Sequence, residues 1–431
     1  MKKRNNKRNK NKKSNIENVD SFVLGYMEEV HFSSCTIDKK ETIQRLWGGY
    51  GEIVRYNVNG QYRHEQPMQR INSIILKNVR PPALQNGRDN EDISHLRKLR
   101  SYQVETHFYE VYALKILENE DLFQKNKIND PYDLFHPRIP RLLANMSTSD
   151  IDENPSTNTL ILLEDLDVAG YPERLGYGSD GDLEERVMPI VQWLARFHGT
   201  FLLNKKNFIA ENNSGLCNDK KRSINVPDKN EKSYPVSYFP GLWEQGCYWH
   251  LDTRPDEYDY MKSGHVLKKA AKMLDKRLKH HSNFITLLHG DAKACNFCFS
   301  KPMNTSSSVG RNGNEKKCHV AAVDFQYCGG GVGLRDLAYL LQSCMSDDNL
   351  NKCTDSILDY YFEELFQVAN INGILSQHEN QILEKEWREL WSSCFADFER
   401  FLTGWSYGHE SYGYGKMMID QALELNLPSD L

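Results

Sequence analysis

No stretch of this sequence approaches the roughly 18–20 consecutive apolar residues that a bilayer-spanning helix needs, so no membrane span is expected. Nor is there a surplus of positive charge. Lys and Arg number 54 against 59 Asp and Glu, a formal net charge of -5, and no nucleic-acid partner is expected. The N-terminus lacks the short apolar core of a secretory signal. Cysteine is thin, 10 in 431 residues, and scattered, which argues against a disulfide scaffold and for reduced thiols in a cytoplasmic setting. Cys295 and Cys298 have C-x-x-C spacing, but no second pair or nearby histidine pair completes a zinc site. They read as two small residues on a loop and a strand.

What is present is an ordinary globular balance, 39% hydrophobic and 26% charged, in a chain long enough for two sizeable lobes. Residues 1–13, MKKRNNKRNKNKK, cannot bury apolar surface and read as a solvated tail. From Ser21 to about residue 80 the pattern is short and strand-like. Arg45-Leu46-Trp47 and Glu52-Ile53-Val54-Arg55-Tyr56 flank Gly48-Gly49-Tyr50-Gly51, two strands joined by a glycine-rich turn. Ile71 to Val79 forms a further strand, stopped by Pro81-Pro82, and 83–98 reads as a polar connector. Val104, Phe108, Val111, Tyr112 and Ile116 then fall near a 3.6-residue period, which predicts a helix over 99–118. Leu160 to Leu163 has the continuous apolar pattern of a buried strand and ends in Glu164-Asp165-Leu166. A Gly-, Asp- and Tyr-rich loop follows at 167–181.

Beyond that, apolar stripes predict helices over 182–202, 264–279, 355–368 and 381–403. Two short apolar strands, 284–288 and 319–323, interrupt them. Polar insertions fill 204–235 and 301–317. A β-rich first third and a helical remainder predict an α+β fold with two lobes.

The chemistry concentrates after those two strands. His289-Gly290-Asp291-Ala292-Lys293-Ala294-Cys295-Asn296 follows the first and holds Asp291 and Asn296 in D-x-x-x-x-N spacing with Lys293 between them. The second delivers Asp324-Phe325-Gln326. Phosphoryl transfer asks for a carboxylate to accept the proton of an attacking hydroxyl, and for an amide oxygen and a second carboxylate to hold Mg²⁺ against phosphates. It also asks for a cation beside the moving group. This segment has one residue for each task, and oxygen donors suit a small hard cation. A lone HGD or DF dipeptide is common, and an aspartate at a strand end is usually a turn residue. Two ordered motifs, each behind an apolar strand, are far rarer.

HGDAKACN resembles the catalytic loop of protein kinases and, with Gly in second place, that of aminoglycoside phosphotransferases and choline kinases. AVDFQ and GLRDLAYLL (333–341) resemble the ecdysteroid-kinase and choline-kinase-like branch. The resemblance covers most of 45–345. It implies a bilobal protein-kinase-like fold and ATP- and Mg²⁺-dependent phosphorylation of a small-molecule alcohol. Asp291 then takes the catalytic-base position, Lys293 that of a γ-phosphate lysine, and Asn296 and Asp324 the metal positions. Lys77 would reach the α- and β-phosphates and pair with Glu105, which lies in the family-like pattern E-x-x-F-Y. Gly48, Gly49 and Gly51 would drape over phosphates, or simply form a hairpin turn. Glu164 to Leu166 resembles the interlobe hinge that meets adenine through its backbone. Asp336 either supports the catalytic loop or caps a helix. His198, in L-A-R-F-H-G-T-F, reads as a satisfied structural histidine rather than a catalytic one. Tyr238, Phe239, Trp243, Tyr248 and Trp249 either wall an acceptor pocket or fill the core, and Trp405, Tyr407, Tyr412 and Tyr414 pose the same choice.

The expected organisation is a basic tail over 1–20, an ATP-binding N-lobe over 21–165 and a catalytic C-lobe over 166–431. A pseudokinase-like nucleotide-binding scaffold is the alternative. A protein kinase fits less well, because no A-P-E segment follows Asp324 and Gly331-Val332-Gly333-Leu334 runs almost straight into the next helix. A net-acidic C-lobe would suit a cationic acceptor such as choline. The acceptor itself and the oligomeric state are not written in the sequence.

Overall fold

The computed structural model describes residues 19–63, 71–82, 93–117, 136–148, 158–175, 183–213, 237–301, 303–304 and 316–425. Nearly all of the basic tail lies outside them, as do parts of the connector 83–98, the loop 167–181 and the insertions 204–235 and 301–317. The chain forms two compact units, Met1–Tyr102 with Pro140–Ala169 and Gln103–Ile139 with Gly170–Leu431.

The first unit is built on five antiparallel strands: β1 (Phe32–Arg45), β2 (Gly51–Tyr62), β3 (Ser73–Val79), β4 (Leu142–Thr148) and β5 (Asn158–Glu164). Their order is β1-β2-β3-β5-β4. The edge strand β1 is exposed along Lys39, Lys40 and Glu41, charges that discourage pairing with another chain. The strand-like expectation for the region after Ser21 is corrected at its start, where Val19–Val30 is a helix, α1. Val19, Val23 and Met27 recur at four-residue spacing and are the buried residues of that helix, a 3.6-period stripe hidden among polar neighbours. They pack on Phe32, Val54, Tyr56, Val58, Ile74, Leu76, Leu160 and Leu162. Burial of each large aliphatic side chain contributes about 1.5–3 kcal/mol. Strand alternation then turns Lys77 and Val79 to the opposite face from Ile74 and Leu76, and Val79 packs with Leu46, Tyr50 and Tyr102.

The expected turn between β1 and β2 is present. Leu46 N–H donates to Gly51 O at 2.8 Å and Gly49 N–H to Leu46 O at 3.3 Å, so the turn closes on its own backbone. Gly51 has φ 128°, and a Cβ there would lie 2.0 Å from the Asn78 carbonyl oxygen. No other residue fits so close to β3. The helix expected from residue 99 starts at Ile93 instead. Its first turns bury His95 and Arg97, polar residues that a hydropathy pattern misses, with the His95 ring hydrogen-bonded to the Tyr50 hydroxyl.

In the second unit short strands are framed by helices. Phe284–Leu288, all five residues buried, lies in a small sheet between Leu203–Asn204 and Gly329–Gly331, with Trp243–Gln245 beyond. Val320–Ala322 pairs with Phe297–Phe299. The helix Met188–Phe201 buries nearly its whole length. The stripe read over 381–403 belongs to two helices, Gln377–Arg388 and Trp391–Trp405, with Leu390 buried at the break. Arg335 and Arg400 are both buried against Asp397, at 2.9 and 2.8 Å, and Arg400 also donates to the Trp249 carbonyl at 2.9 Å. Among the described residues no helix is long and apolar enough to cross a membrane. The fold is α+β, a sheet-based N-terminal region followed by a helical one.

Candidate active site

The strand Phe284–Leu288 ends in a loop that requires glycine at position 290. Gly290 has φ 81°, and a Cβ there would lie 1.9 Å from the Tyr327 carbonyl oxygen. The chain therefore turns sharply against the segment that follows Asp324. Asp336 holds the turn from beneath. Its Oδ2 accepts the His289 N–H at 2.6 Å and its Oδ1 the Gly290 N–H at 3.0 Å. Asp336 sits in the first turn of the helix Leu334–Cys344, but that helix has no side-chain cap. Of the two readings open for Asp336, support of the loop is the one its bonds fulfil.

His198 is structural, as its setting in the sequence indicates. It is fully buried, with Nε2 3.2 Å from Asp336 Oδ2 and Nδ1 2.7 Å from the Tyr361 hydroxyl. His289 has an equally fixed role. Its Nδ1 accepts the Asp291 N–H at 3.2 Å, so Nε2 carries the ring proton and donates it to the Val323 carbonyl at 3.1 Å. Burial lowers its pKa, in keeping with a neutral ring. One imidazole thus ties the 289–291 turn to the residue before Asp324.

Within the loop, Asp291, Lys293 and Asn296 converge. Asp291 is 6% exposed. Its Oδ2 accepts from Lys293 Nζ at 2.8 Å and from Asn296 Nδ2 at 3.1 Å, and Nδ2 also donates to the Asp291 carbonyl at 2.7 Å. Asp291 Oδ1 is buried and accepts no hydrogen bond. Burial pushes the Asp291 carboxyl above the ordinary aspartate value. Lys293 works against that rise and Asp324 adds to it. Lys293 moves above the usual lysine value, because Asp291 and Asp324 outweigh the opposing effect of its burial. The amide of Asn296 spends its N–H groups on Asp291, and its oxygen remains to face elsewhere.

Asp324 adopts the left-handed conformation, φ 72°, one of two non-glycine residues to do so among those described. Such backbone costs about 1–3 kcal/mol and persists where the surroundings over-determine it. The next residue shows how. Phe325 is fully buried, stacks on Phe108 at 4.1 Å and 12°, and meets Tyr109 edge-on at 5.7 Å and His289 at 4.9 Å. These aromatic anchors went unread in the sequence, although Phe108 was placed on its helix as an apolar position. The only available signal was the F-Y pair that follows Glu105.

Lys77 and Glu105 fall in different units and are described separately. Lys77 is 4% exposed on β3, with Nζ 5.7 Å from the centre of the Tyr102 ring. Glu105 is 1% exposed on the helix Ile93–His107. The segment after β5 is more firmly held than its sequence indicates. Asp165 looks like an exposed acidic strand end but is buried, and it accepts from Arg55 Nε at 2.7 Å, Ser73 Oγ at 2.5 Å and the Asp167 N–H at 3.1 Å. Glu164 accepts the Arg141 N–H at 3.1 Å, and Leu166 is buried. Nothing in the sequence signals the pairing of Arg55 with Asp165, because it joins residues 110 positions apart.

The cysteines and the two aromatic clusters lie in mixed settings. Cys298 is buried and Cys295 exposed, and among the described residues no group of three or more His, Cys, Asp or Glu could hold a metal. Phe239, Trp249 and Tyr414 are core, whereas Tyr238, Trp243 and Tyr248 are half-buried and Trp405, Tyr407 and Tyr412 exposed.

No curated protein matches this sequence. Solved structures that match include an amicoumacin kinase in complex with AMP-PNP, Ca²⁺ and Ami, 12% identical over 94% of this chain and 92% of that one, with a TM-score of 0.41. An ethanolamine kinase from Plasmodium vivax is 12% identical over 90% and 84%, with a TM-score of 0.36. A choline kinase from Streptococcus pneumoniae is 11% identical over 94% and 97%, with a TM-score of 0.35. Likeness at that level says nothing about an acceptor. The model of the ecdysteroid kinase-like family matches residues 50–373, a span that includes the catalytic loop and the Asp324 segment. The chain belongs to the ecdysteroid kinase-like family and is a small-molecule kinase.

Proposed function

We propose that this protein transfers the γ-phosphoryl group of ATP to a hydroxyl of a small-molecule alcohol in a Mg²⁺-dependent reaction, in a cytosolic setting. The observation that carries the reading is the orphaned Oδ1 of Asp291. A buried carboxylate oxygen without a partner is expensive, and such atoms in a well-packed fold call for an explanation. A hydroxyl donor supplied by the acceptor gives Oδ1 its missing bond. The hydroxyl oxygen attacks the γ-phosphorus, its proton passes to Asp291 Oδ1, the bond to the β–γ bridging oxygen breaks and ADP leaves.

The other residues divide the remaining work. Lys293 orients Asp291 through Oδ2 and offsets negative charge on the moving group. Asn296, with its amide N–H groups committed to Asp291, has an oxygen to offer a cation, and Asp324 supplies a carboxylate. That donor set fits Mg²⁺, which is held by one or two protein oxygens together with phosphates rather than by a cluster of acidic residues. When bound, the metal neutralises phosphate charge. On the first unit, Lys77 is assigned to the α- and β-phosphates. The side-chain-free Gly48, Gly49 and Gly51 lie over phosphates, and the backbone of Glu164 to Leu166 meets adenine.

The test is ATP consumption by purified protein against a panel of alcohols, with and without Mg²⁺, and with Asp324→Ala alongside. Turnover that needs both Mg²⁺ and one acceptor class, and is lost in the variant, is the expected result. Tight Mg·ATP binding with no acceptor-dependent turnover across the panel would favour a nucleotide-binding scaffold instead.

A further inference from the structure

Next to the catalytic loop, the second unit carries an aromatic surface that phosphoryl transfer does not use. The Tyr248 N–H donates to the Gly290 carbonyl at 2.8 Å, one residue from Asp291. Burial raises the pKa of the Tyr248 phenol, with Arg254 and Lys293 opposing the rise and Asp291 adding to it. Its ring meets Tyr327 edge-on at 5.4 Å, Phe401 at 5.1 Å and Trp405 at 6.3 Å. Tyr248 and Tyr327 are half-buried, and Trp405 is 55% exposed at the end of its helix.

Three of these rings surround a cation that belongs to the protein. The Arg254 guanidinium carbon lies 4.8 Å from the ring centre of Tyr248, 5.4 Å from that of Phe401 and 4.6 Å from that of Trp405. Arg254 and Glu257 are both buried and pair at 2.6 Å, yet Arg254 Nε and Glu257 Oε2 have no partner. Rings gathered around a positive centre, with a carboxylate behind them, are the means by which proteins recognise quaternary ammonium groups. Here the guanidinium already occupies that position. Its Glu257 partner leaves the pair neutral, so a second cation is excluded by occupancy of the ring faces rather than by net charge.

We propose that Arg254 determines acceptor specificity: by filling the aromatic cage beside Asp291 it shuts out organic cations and leaves Tyr248, Tyr327 and Trp405 as an apolar wall for a neutral alcohol. That the ligand of this wall is the phosphoryl acceptor rests on the function proposed above. The inference runs against the acidic charge balance of the C-lobe, which taken alone would favour choline-like acceptors. Local occupancy of a cage outweighs a dispersed charge count, because solvent screens the latter beyond about 10 Å.

Choline and 3,3-dimethylbutan-1-ol test this directly, since they share a shape and differ in a quaternary nitrogen replaced by carbon. Binding is read by saturation-transfer NMR titration of the full-length protein, which needs no turnover. A protein that failed the ATP-consumption assay could therefore still pass or fail here. The wild type is expected to bind the neutral alcohol about tenfold more tightly than choline. Arg254→Ala, which empties the cage in front of Glu257, should reverse the preference, and choline should raise the melting temperature of that variant but not of the wild type. Should Arg254→Ala fail to fold with its carboxylate stranded, the double variant Arg254→Ala/Glu257→Gln removes the stranded charge and should shift the preference in the same direction by less. Trp405→Ala should weaken both probes. Equal binding of the two probes to the wild type overturns the proposal, as does a ratio unchanged in the folded Arg254 variants. Failure of the wild type to bind either alcohol, or failure of Trp405→Ala to weaken them, removes the site itself.

Discussion

Asp165 in the first unit and Asp291 in the second are both buried, 3% and 6% exposed, but their oxygens are treated in opposite ways. Both oxygens of Asp165 are used. Oδ2 takes Arg55 Nε and Ser73 Oγ, while Oδ1 takes Arg55 Nη2 and the Asp167 N–H. Asp291 has Oδ2 held by Lys293 and Asn296 and Oδ1 left bare. A carboxylate satisfied on all sides stabilises a fold. One that is positioned on one side and vacant on the other is held ready for a group from outside, at a cost in stability. The contrast makes predictions about which property each residue governs.

The largest expected effect is on rate. Asp291→Asn or Asp291→Ala should lower turnover by about 10²–10⁴, the usual share of a positioned general base, with no fall in the melting temperature of the Asn variant. Activity near the wild-type level would remove Asp291 from the chemistry. Asp165→Ala should do the reverse. With Arg55 left facing Asp167 alone, the protein should be destabilised by about 3 kcal/mol in urea unfolding, while turnover per folded molecule changes little. A large loss of turnover at unchanged stability would mean that Asp165 acts on the nucleotide rather than on the fold.

Asp336 stands between these two, and its variant should show both effects in smaller measure. Asp336→Asn sets an amide donor against the N–H of either His289 or Gly290, which costs about 1–3 kcal/mol. Because those N–H groups aim the loop that carries Asp291, kcat should fall about tenfold, and KM for ATP should hardly move. A stability loss with kcat intact would show the loop to be held by Gly290 and His289 alone.

These three aspartates also mark how far the sequence could be read. The convergence of Asp291, Lys293 and Asn296 and the place of Asp324 were legible because each motif sits directly behind a short apolar strand. Asp336 was half legible. Its position three residues after Gly333 is equally that of an N-terminal helix residue, and only the fold brings the His289 and Gly290 N–H groups to it. The anchoring of Asp165 was not legible, because nothing near it in the chain announces that Arg55 lies across the sheet. The helix at Val19–Val30 was lost for a related reason: three buried residues in twelve make a stripe too narrow to stand out beside β-rich neighbours. Arg254 was missed as well, since a guanidinium among three rings requires helices far apart in the sequence.

The smallest expected effect concerns pH, and it separates Asp291 from a second buried aspartate, Asp397. Burial, despite Lys293, raises the Asp291 carboxyl above its ordinary 3.8. A group with a raised folded value contributes stability while protonated, and that contribution is lost as the pH climbs through the folded value. Catalysis needs the ionised form, so activity should rise over the same interval in which stability falls. The acid limb of kcat/KM should accordingly lie above the ordinary aspartate value. Asp397 has the opposite sign. Burial works against its ionisation, but Arg400 and Arg335 outweigh it and hold the carboxyl below 3.8. Its contribution is therefore present above the ordinary value and lost as the pH falls. Urea midpoints of Asp291→Asn and Asp397→Asn, measured from about pH 2 to about pH 8, should diverge from the wild type in opposite directions as the pH rises, Asp397→Asn below the ordinary aspartate value and Asp291→Asn above it. Relative to the wild type the first variant should gain and the second lose as the pH rises, each only over the interval in which its own carboxyl titrates. Parallel curves would mean that Asp291 is as fully compensated as Asp397, and that its bare oxygen finds a partner in solution.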